Sequence, residues 1–239
     1  VCDAANPQAV RELRQRKERG AKPFALMARN LEVVRKYLLT TPLEEELLTS
    51  PAAPIVILER KKDSFAFLPE EIAPGLHTLG VMLPYTPLHQ LLFAGDYDFL
   101  VMTSANLSGQ PLIYTNEEAL RDLKGIADYF LLHNRDIFHP CDDSVVQVIG
   151  EEAVFHRRAR GYVPLPQINP QPIKVPILGV GGELKNTFCL GAKERSFTSQ
   201  YIGDMEGYEN FQRFRQELSS FQKVVQITPE AVAYDAHPN

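Results

Sequence analysis

Apolar positions recur with helical spacing at the start of the chain, and short apolar runs appear further on. Asn6 and Pro7 open the first helical segment, because Asn is a good N-cap and Pro suits the first helical position. Gly20 is the predicted end of this helix. Further helices are predicted over 31–39, from Thr41 with Glu44 at capping-box spacing, over 87–93, and from Thr115 to near Gly125.

Short apolar runs bounded by turn residues predict strands between these helices. The predicted strands cover 54–58, 99–103, 129–132 and 144–149. Strands that alternate with helices indicate an α/β or α+β fold with a twisted mixed sheet and flanking helices.

The run PLPQINPQPIKVP over 164–176 carries five prolines and predicts a semi-rigid interdomain linker. We therefore expect a first domain over 1–164, a linker over 165–176 and a second domain over 177–239. The second domain is predicted to hold strands at 177–180, 187–190, 195–200 and 231–234 and a helix over 208–222. This order resembles the opening of an actin-like nucleotide-binding domain.

Composition narrows the class of protein. The 239 residues are 44% hydrophobic and 23% charged, with a formal net charge of −5, as in ordinary globular proteins without a general attraction to nucleic acid or membrane. Three cysteines without CxxC spacing argue against disulfides and zinc, and favour a reducing, cytoplasmic location. No apolar run spans a bilayer, and no signal peptide is evident. Both ends look cut, so we expect a piece of a longer protein.

A cluster of small polar residues follows the apolar run 99–102 in the segment MTSANLSG. Its hydroxyl, amide and glycine groups can hydrogen-bond phosphate or carbonyl oxygens. The cluster consists of Thr103, Ser104, Asn106, Ser108 and Gly109. An ordinary turn is the alternative interpretation.

Three cations, Lys17, Arg19 and Lys22, lie at the predicted end of the first helix. Arg offers a planar fork and Lys a mobile point charge, so together they suit a triphosphate. A solvated basic helix end is the alternative.

A third cluster contains two carboxylates, a serine that opens a strand, and later arginines. Asp142 and Asp143 precede Ser144, and Arg158 and Arg160 follow the strand. Adjacent carboxylates can hold Mg²⁺ through water, but neighbouring strand positions face opposite sides, so a structural role is favoured. No histidine pair has i,i+4 spacing, and we predict no metal site.

A glycine-rich turn in the second part of the chain, GVGGELKN, is a weaker candidate for a phosphate loop. Its candidate residues are Gly181, Gly182, Lys185 and Asn186. A plain hairpin explains the same residues.

Taken together, these motifs resemble the YrdC-like domain, in the form found in HypF-type carbamoyltransferases of nickel–iron hydrogenase maturation. The resemblance is carried by Cys2-Asp3-Ala4, AKPFALM, APGLHTLGVMLPYTPLH, VMTSANLSG and RRARGYVP, and beyond the linker by GGELKNTFCL, SQYIGD and YDAHPN. It covers essentially the whole chain. Gly20 stands where relatives often carry Pro, and Met82 where tRNA-modifying relatives tend to carry Arg.

The resemblance implies an enzyme that condenses ATP with carbamate, derived from carbamoyl phosphate, into carbamoyl adenylate and pyrophosphate. It implies that Lys17 and Arg19 are catalytic and, with Lys22, hold phosphates and carbamate. The implied pocket is lined by Thr103, Ser104, Asn106 and Ser144, and by Arg158 or Arg160, between which we do not choose.

The resemblance also implies ATP and Mg²⁺ as cofactors, with zinc or iron only in parts of the family absent here. The implied partner is a HypE-type protein, whose C-terminal cysteine receives the carbamoyl group. Whether the chain is active without the missing domains stays open. The alternatives are a threonylcarbamoyl-AMP synthase of tRNA modification, an O-carbamoyltransferase of antibiotic biosynthesis, and a non-catalytic nucleotide- or RNA-binding module; RNA binding is not favoured.

Overall fold

The chain folds into two units, each with its own sheet. The computed structural model describes residues 1–107, 110 and 112–237. The first unit covers Val1–His156 and the second begins at Arg157, whereas we expected the first domain to extend to residue 164. In the described residues, no helix is long and apolar enough to cross a membrane.

The first unit is built on a mixed sheet, as predicted. Its strands in the described residues are β1 (Cys2–Asp3), β2 (Ala25–Ala28), β3 (Ile55–Glu59), β4 (Thr78–Met82), β5 (Phe99–Met102), β6 (Val145–Ile149) and β7 (Glu152–Arg157). They lie in the order β1-β5-β2-β4-β3-β6-β7. β2 pairs with β4 and β3 with β6 in parallel, while β1–β5, β2–β5 and β3–β4 are antiparallel.

Helices flank this sheet, and local capping chemistry sets where they begin. They are α1 (Pro7–Arg16), α2 (Leu31–Tyr37), α3 (Pro42–Thr49), α4 (Lys62–Phe67), α5 (Pro87–Leu92) and α6 (Asn116–Asp122), with a short 3₁₀ helix at Glu70–Ile72. The Asn6 side chain accepts from the first free amides of α1, and Thr41 and Glu44 form the predicted capping box. Helix starts with these residue types are therefore confirmed.

The end of α1 differs from the prediction. The helix ends at Arg16, four residues before Gly20, because the chain turns at Glu18. Glu18 takes a left-handed φ of 49°, the conformation that usually falls to glycine just after a helix. The early turn leaves Lys17 as the C-cap residue.

The predicted strand over 129–132 is wrong. The segment is irregular, and Tyr129 is 93% exposed. Its apolar residues have the composition of a strand, but the neighbouring position beside β6 is taken by β7. A strand without a ladder partner leaves its backbone groups unpaired.

The sheet buries both of its faces. One face carries Leu26, Val56, Val81 and Val101 and packs against residues of the helices. The opposite face forms a smaller apolar cluster that includes Met27, Met82 and Leu100, covered by Leu92 and Phe93 at the end of α5. The sheet is thus a fixed platform from whose strand ends the loops emerge.

The second unit has a three-stranded sheet in its described part. Its elements are β8 (Gln167–Gly179), β9 (Cys189–Thr198), α7 (Tyr208–Val225) and β10 (Ala231–Ala233), with strand order β10-β8-β9. The predicted helix is confirmed, and it extends three residues beyond residue 222. Phe188 packs edge-on against Phe214 and Phe221 of α7, with ring centroids 5.5 and 5.4 Å apart.

Most of the segment predicted as an unpaired linker, 165–176, belongs to β8. It pairs antiparallel with β9, but the register shifts between Ile168 and Ile173 and again before Ile177. Prolines stand in these irregular stretches, because Pro has no N–H to donate to the ladder. β10 pairs only with the last three residues of β8, so the Pro-bearing part lies at an edge, where Pro is tolerated.

The two strands predicted at 187–190 and 195–200 form the single strand β9. The chain continues through Gly191, and Lys193 has a φ of 53° within the strand. The two predicted strands are thus one strand with a local irregularity.

Candidate functional site

Lys17 is buried at the end of α1, where its ammonium group contacts the loop after β5. The residue is only 2% exposed. The Nζ atom donates to the carbonyl oxygens of Ser104 at 2.7 Å and Asn106 at 2.6 Å, and lies 3.4 Å from Asn106 Oδ1. An ammonium has three N–H donors, so these acceptors match its full capacity. The structure thus brings one predicted cation to the predicted hydroxyl–amide cluster.

The loop that receives Lys17 is folded on itself. Ser104 Oγ donates to Asn106 Oδ1 at 2.7 Å, and the Asn106 backbone N–H donates to the Ser104 carbonyl at 3.1 Å. Asn106 Nδ2 donates to the Gln110 carbonyl at 2.7 Å. Thr103 is half-buried at the end of β5. Ser108 and Gly109, the other members of the predicted cluster, lie outside the described residues.

Burial lowers the pKa of Lys17 to about 8, and the nearby charge of Arg19 adds to this effect. Removing an ammonium from water disfavours its charged form, as does a second cation. The pKa of Lys17 is therefore closer to physiological pH than that of an ordinary surface lysine.

The other two predicted cations lie on the turn that follows α1. The Arg19 guanidinium donates to the carbonyls of Lys22 at 3.2 Å and Pro23 at 2.7 Å, and stacks on the Phe24 ring with its Cζ 4.9 Å from the centroid. Lys22 is exposed. The Arg19 guanidinium is thus folded back on the turn, whereas Lys22 is exposed and Lys17 is buried.

Arg14 supports this turn and was missed from the sequence. Its guanidinium donates to the carbonyl of Arg19 at 2.9 Å and that of Lys22 at 3.1 Å. The available signal was its position in the last turn of α1, three residues before Lys17 and so near the same helix face. That spacing alone does not distinguish a buried arginine from a solvated one.

Ser144 immediately precedes β6, several strands away from the Lys17 cluster, and its place in the implied pocket stays a prediction. It precedes Val145, whose cross-strand row runs through β3, β4 and β2 to Leu100 on β5. Thr103 follows three residues after Leu100, and four strand spacings separate β5 from β6. Four spacings amount to about 19 Å across the sheet. Ser144 is fully buried, and its carbonyl accepts from the Ile55 amide at 2.8 Å.

The predicted arginines of the third cluster belong to the second unit. Arg158 Nη2 donates to the Leu165 carbonyl at 3.1 Å, and burial lowers the pKa of its guanidinium. Its Nη1 atom is buried without a hydrogen-bond partner among the described residues. Arg160 is half-buried. The choice between them stays open.

The glycine-rich turn at 181–186 is closed by its own asparagine. Asn186, 3% exposed, donates from Nδ2 to the carbonyls of Val180 at 2.9 Å and Gly182 at 2.6 Å. Gly181 has a φ of +74°, and a Cβ there would lie 2.0 Å from the Thr187 carbonyl oxygen. The Lys185 amide donates to Asp204 Oδ1 at 2.8 Å, and the residue itself is exposed. A phosphate-binding role for this turn stays a prediction.

The described residues contain no group of three or more His, Cys, Asp and Glu side chains that could hold a metal ion. Cys2, Cys141 and Cys189 form no disulfide with one another.

Comparison with known proteins places the fold in a family. Residues 1–159 match the Sua5–YciO–YrdC family model, whose description is "Telomere recombination". The chain therefore belongs to this family of α/β domains. Residues 172–239 match the model of the HypF Kae1-like domain, so the two matches together give the domain combination of HypF proteins.

Individual relatives agree with this assignment. The chain is 42% identical over 238 residues to the carbamoyltransferase HypF of Synechocystis. The alignment covers 100% of this chain and 31% of that protein. It is 45% identical, with a TM-score of 0.93, to full-length HypF crystallised in a phosphate- and nucleotide-bound form, covering 98% of this chain and 37% of that one. Sua5 of P. abyssi, crystallised with L-threonine, is 16% identical, with a TM-score of 0.56 over 97% of this chain and 80% of that one, and shows the fold alone. The chain thus spans about a third of the length of the HypF proteins it matches.

Proposed function

We propose that this chain forms carbamoyl adenylate from ATP and carbamate, as the adenylate-forming part of a carbamoyltransferase. The observation that supports this most directly is the contact of the Lys17 ammonium with Ser104 and Asn106. This contact joins the end of α1 and the turn that follows it at residues 19–23, the cationic turn, to a loop rich in hydrogen-bonding groups. The names of the HypF relatives supply the carbamoyl chemistry.

The residues suit an attack that needs no general base. A carbamate oxygen is already anionic and forms a bond to the α-phosphorus of ATP, while the bond to the β-phosphate oxygen breaks and pyrophosphate leaves. The protein then has to position two anions and neutralise their charge. Lys17, Arg19 and Lys22 supply the charge, and Thr103, Ser104 and Asn106 supply hydroxyl, amide and backbone groups.

Mg²⁺ fits the reaction as a cation carried by the nucleotide. The described residues offer no carboxylate-rich cage, and Mg²⁺ in such sites is held largely by phosphates and water. When bound, it neutralises charge on the triphosphate. The binding of the phosphates themselves falls to the cationic turn.

The carbamoyl group then passes to an acceptor protein. We propose a HypE-type protein whose C-terminal cysteine accepts it, as part of hydrogenase maturation in the cytoplasm. The match of residues 172–239 to the HypF Kae1-like domain supports this destination over a free-standing adenylate synthase.

Pyrophosphate release tests the proposal on the full 239-residue chain. The chain is incubated with Mg-ATP and ammonium carbamate, which bypasses carbamoyl phosphate, and pyrophosphate is measured by a coupled assay. We expect release that depends on carbamate and falls at least about 100-fold in Lys17→Met, since a positioned charge in a dry site contributes several kcal/mol. Lys36→Met is the matched control, because the Lys36 side chain is 65% exposed.

Threonine with bicarbonate is the competing substrate. Pyrophosphate release only with threonine and bicarbonate would contradict the proposal and favour threonylcarbamoyl-adenylate synthesis. Tight ATP binding without pyrophosphate release under either condition would indicate a binding module instead.

A further inference from the structure

Arg14 directs its guanidinium at backbone carbonyls of the cationic turn. Its Nη1 atom donates to the carbonyl oxygens of Arg19 at 2.9 Å and Lys22 at 3.1 Å, and also to that of Gly20. The turn carries two of the cations assigned to phosphate binding. Its backbone shape is therefore held by a side chain that does not itself belong to the turn.

The other side of the same guanidinium holds the short 3₁₀ helix. Nε and Nη2 donate to the Glu71 carbonyl at 2.9 and 2.5 Å, and Nη2 lies 3.4 Å from the Ile72 carbonyl. Arg14 also stacks on the Phe24 ring, with its Cζ 4.8 Å from the centroid, and the Phe24 amide donates to Ile72 at 2.8 Å. One side chain thus joins the end of the 3₁₀ helix to the turn.

Only arginine can make this set of contacts. Its planar fork has five N–H donors that point in fixed, different directions, whereas a lysine ammonium donates from a single atom. Burial lowers the pKa of the Arg14 guanidinium, but an arginine keeps its charge at physiological pH. The contacts therefore do not loosen when the pH changes near neutrality.

We infer that Arg14 is a positioning residue that fixes the backbone of residues 19–23 and thereby places Arg19 and Lys22 toward the phosphates of the nucleotide. The role of the turn in phosphate binding rests on the proposed function. The role of Arg14 in holding the turn rests on the contacts alone. The two parts are tested separately.

Hydrogen exchange on the full chain tests whether Arg14 holds the turn. In Arg14→Lys, the amides of Arg19 and Phe24, which donate to the carbonyls of Arg14 and Ile72, should exchange at least about tenfold faster, because the charge-assisted hydrogen bonds that hold the turn are lost. Strand β3 should exchange as in the wild type. Arg11→Gln is the control, since Arg11 lies on the same helix but pairs with the Glu71 carboxylate at 2.9 Å on an exposed surface. Unchanged exchange in Arg14→Lys overturns the inference.

Nucleotide affinity tests whether the turn binds the outer phosphates of the nucleotide. ATP affinity of Arg14→Lys should fall at least about tenfold more than AMP affinity, because the displaced cations face the outer phosphates. Equal losses for both nucleotides would indicate general destabilisation and overturn the positioning role. If Arg14→Lys does not fold, Arg14→Gln keeps the aliphatic stem and is measured in the same way. A wild-type chain that binds neither nucleotide, while exchange still responds to Arg14→Lys, would refute the proposed function and support the structural part alone.

Discussion

Replacing Lys17 with methionine separates the energetic cost of the buried ammonium from its use in binding. Methionine keeps an unbranched side chain of similar length and removes the charge. The carbonyls of Ser104 and Asn106 lose their donor, while the desolvation of an ammonium is avoided. These effects oppose each other, so the pH dependence of stability is more informative than its value at one pH.

The expected magnitude follows from the lowered pKa. A fall from 10.5 to about 8 corresponds to about 3 kcal/mol, at about 1.4 kcal/mol for each pKa unit. Below pH 8 both the folded and the unfolded chain carry the charge, so the full penalty is present. Between pH 8 and 10.5 the unfolded chain binds more protons than the folded chain, and the free energy of unfolding therefore rises with pH.

Urea unfolding at pH 7.5 and pH 10 measures this difference. The free energy of unfolding of the wild type minus that of Lys17→Met should rise by about 2–3 kcal/mol between these two pH values. Subtracting the variant removes titrations that the two proteins share, such as those of tyrosines and exposed lysines. Lys36→Met, at an exposed position, should show no such rise.

A difference that stays constant from pH 7.5 to pH 10 would refute the reasoning. It would mean that hydrogen bonds to the loop stabilise the ammonium enough to cancel its desolvation. The Lys17 ammonium would then hold the loop as a permanently charged group that does not titrate near neutral pH.

Three further substitutions test local features of the fold. Asn6→Ala removes the side chain that caps α1 and should lower the free energy of unfolding by about 1 kcal/mol in urea titration; no change would show that water replaces the cap. Thr41→Ala breaks the capping box with Glu44 and should lower it by about 1 kcal/mol, whereas Thr41→Ser should restore most of the loss. Gly181→Ala places a Cβ 2.0 Å from the Thr187 carbonyl at a φ of +74° and should lower the melting temperature of the second unit by several degrees, at a cost of at least about 1–2 kcal/mol; an unchanged melting temperature would show that the turn relaxes freely.

Features set by neighbouring residues could be predicted from the sequence. The caps at Asn6 and Thr41 depend on side chains that reach amides two or three residues away. The helix α7 follows from its own apolar spacing. Lys17 and Asn106 are 89 residues apart in the sequence. Their contact could still be suggested, because a cluster of cations and a cluster of hydroxyl and amide groups complement each other in chemistry.

Features set by pairing between distant strands could not be predicted in the same way. Ser144 was assigned to the pocket by the family resemblance, whereas its position in the sheet is set by the pairing of β6 with β3, which the sequence does not show. The prolines of 165–176 predicted a linker, because their local effect is to remove ladder donors. In the structure this segment still pairs with β9, because it lies at the edge of the sheet and its prolines fall where the register shifts. The sequence of the segment alone does not reveal this partner.

The burial of Lys17 is compatible with a role in phosphate binding, because its contacts differ in strength. Two of its acceptors are carbonyls at 2.6 and 2.7 Å, while Asn106 Oδ1 lies at 3.4 Å, a distance at which a hydrogen bond is weak. Under the proposed function, a phosphate oxygen replaces this third acceptor. Asn106 Oδ1 keeps the hydrogen bond from Ser104 Oγ at 2.7 Å, so the loop retains its shape. Lys17 can therefore hold the loop with two donors and direct the third to the nucleotide.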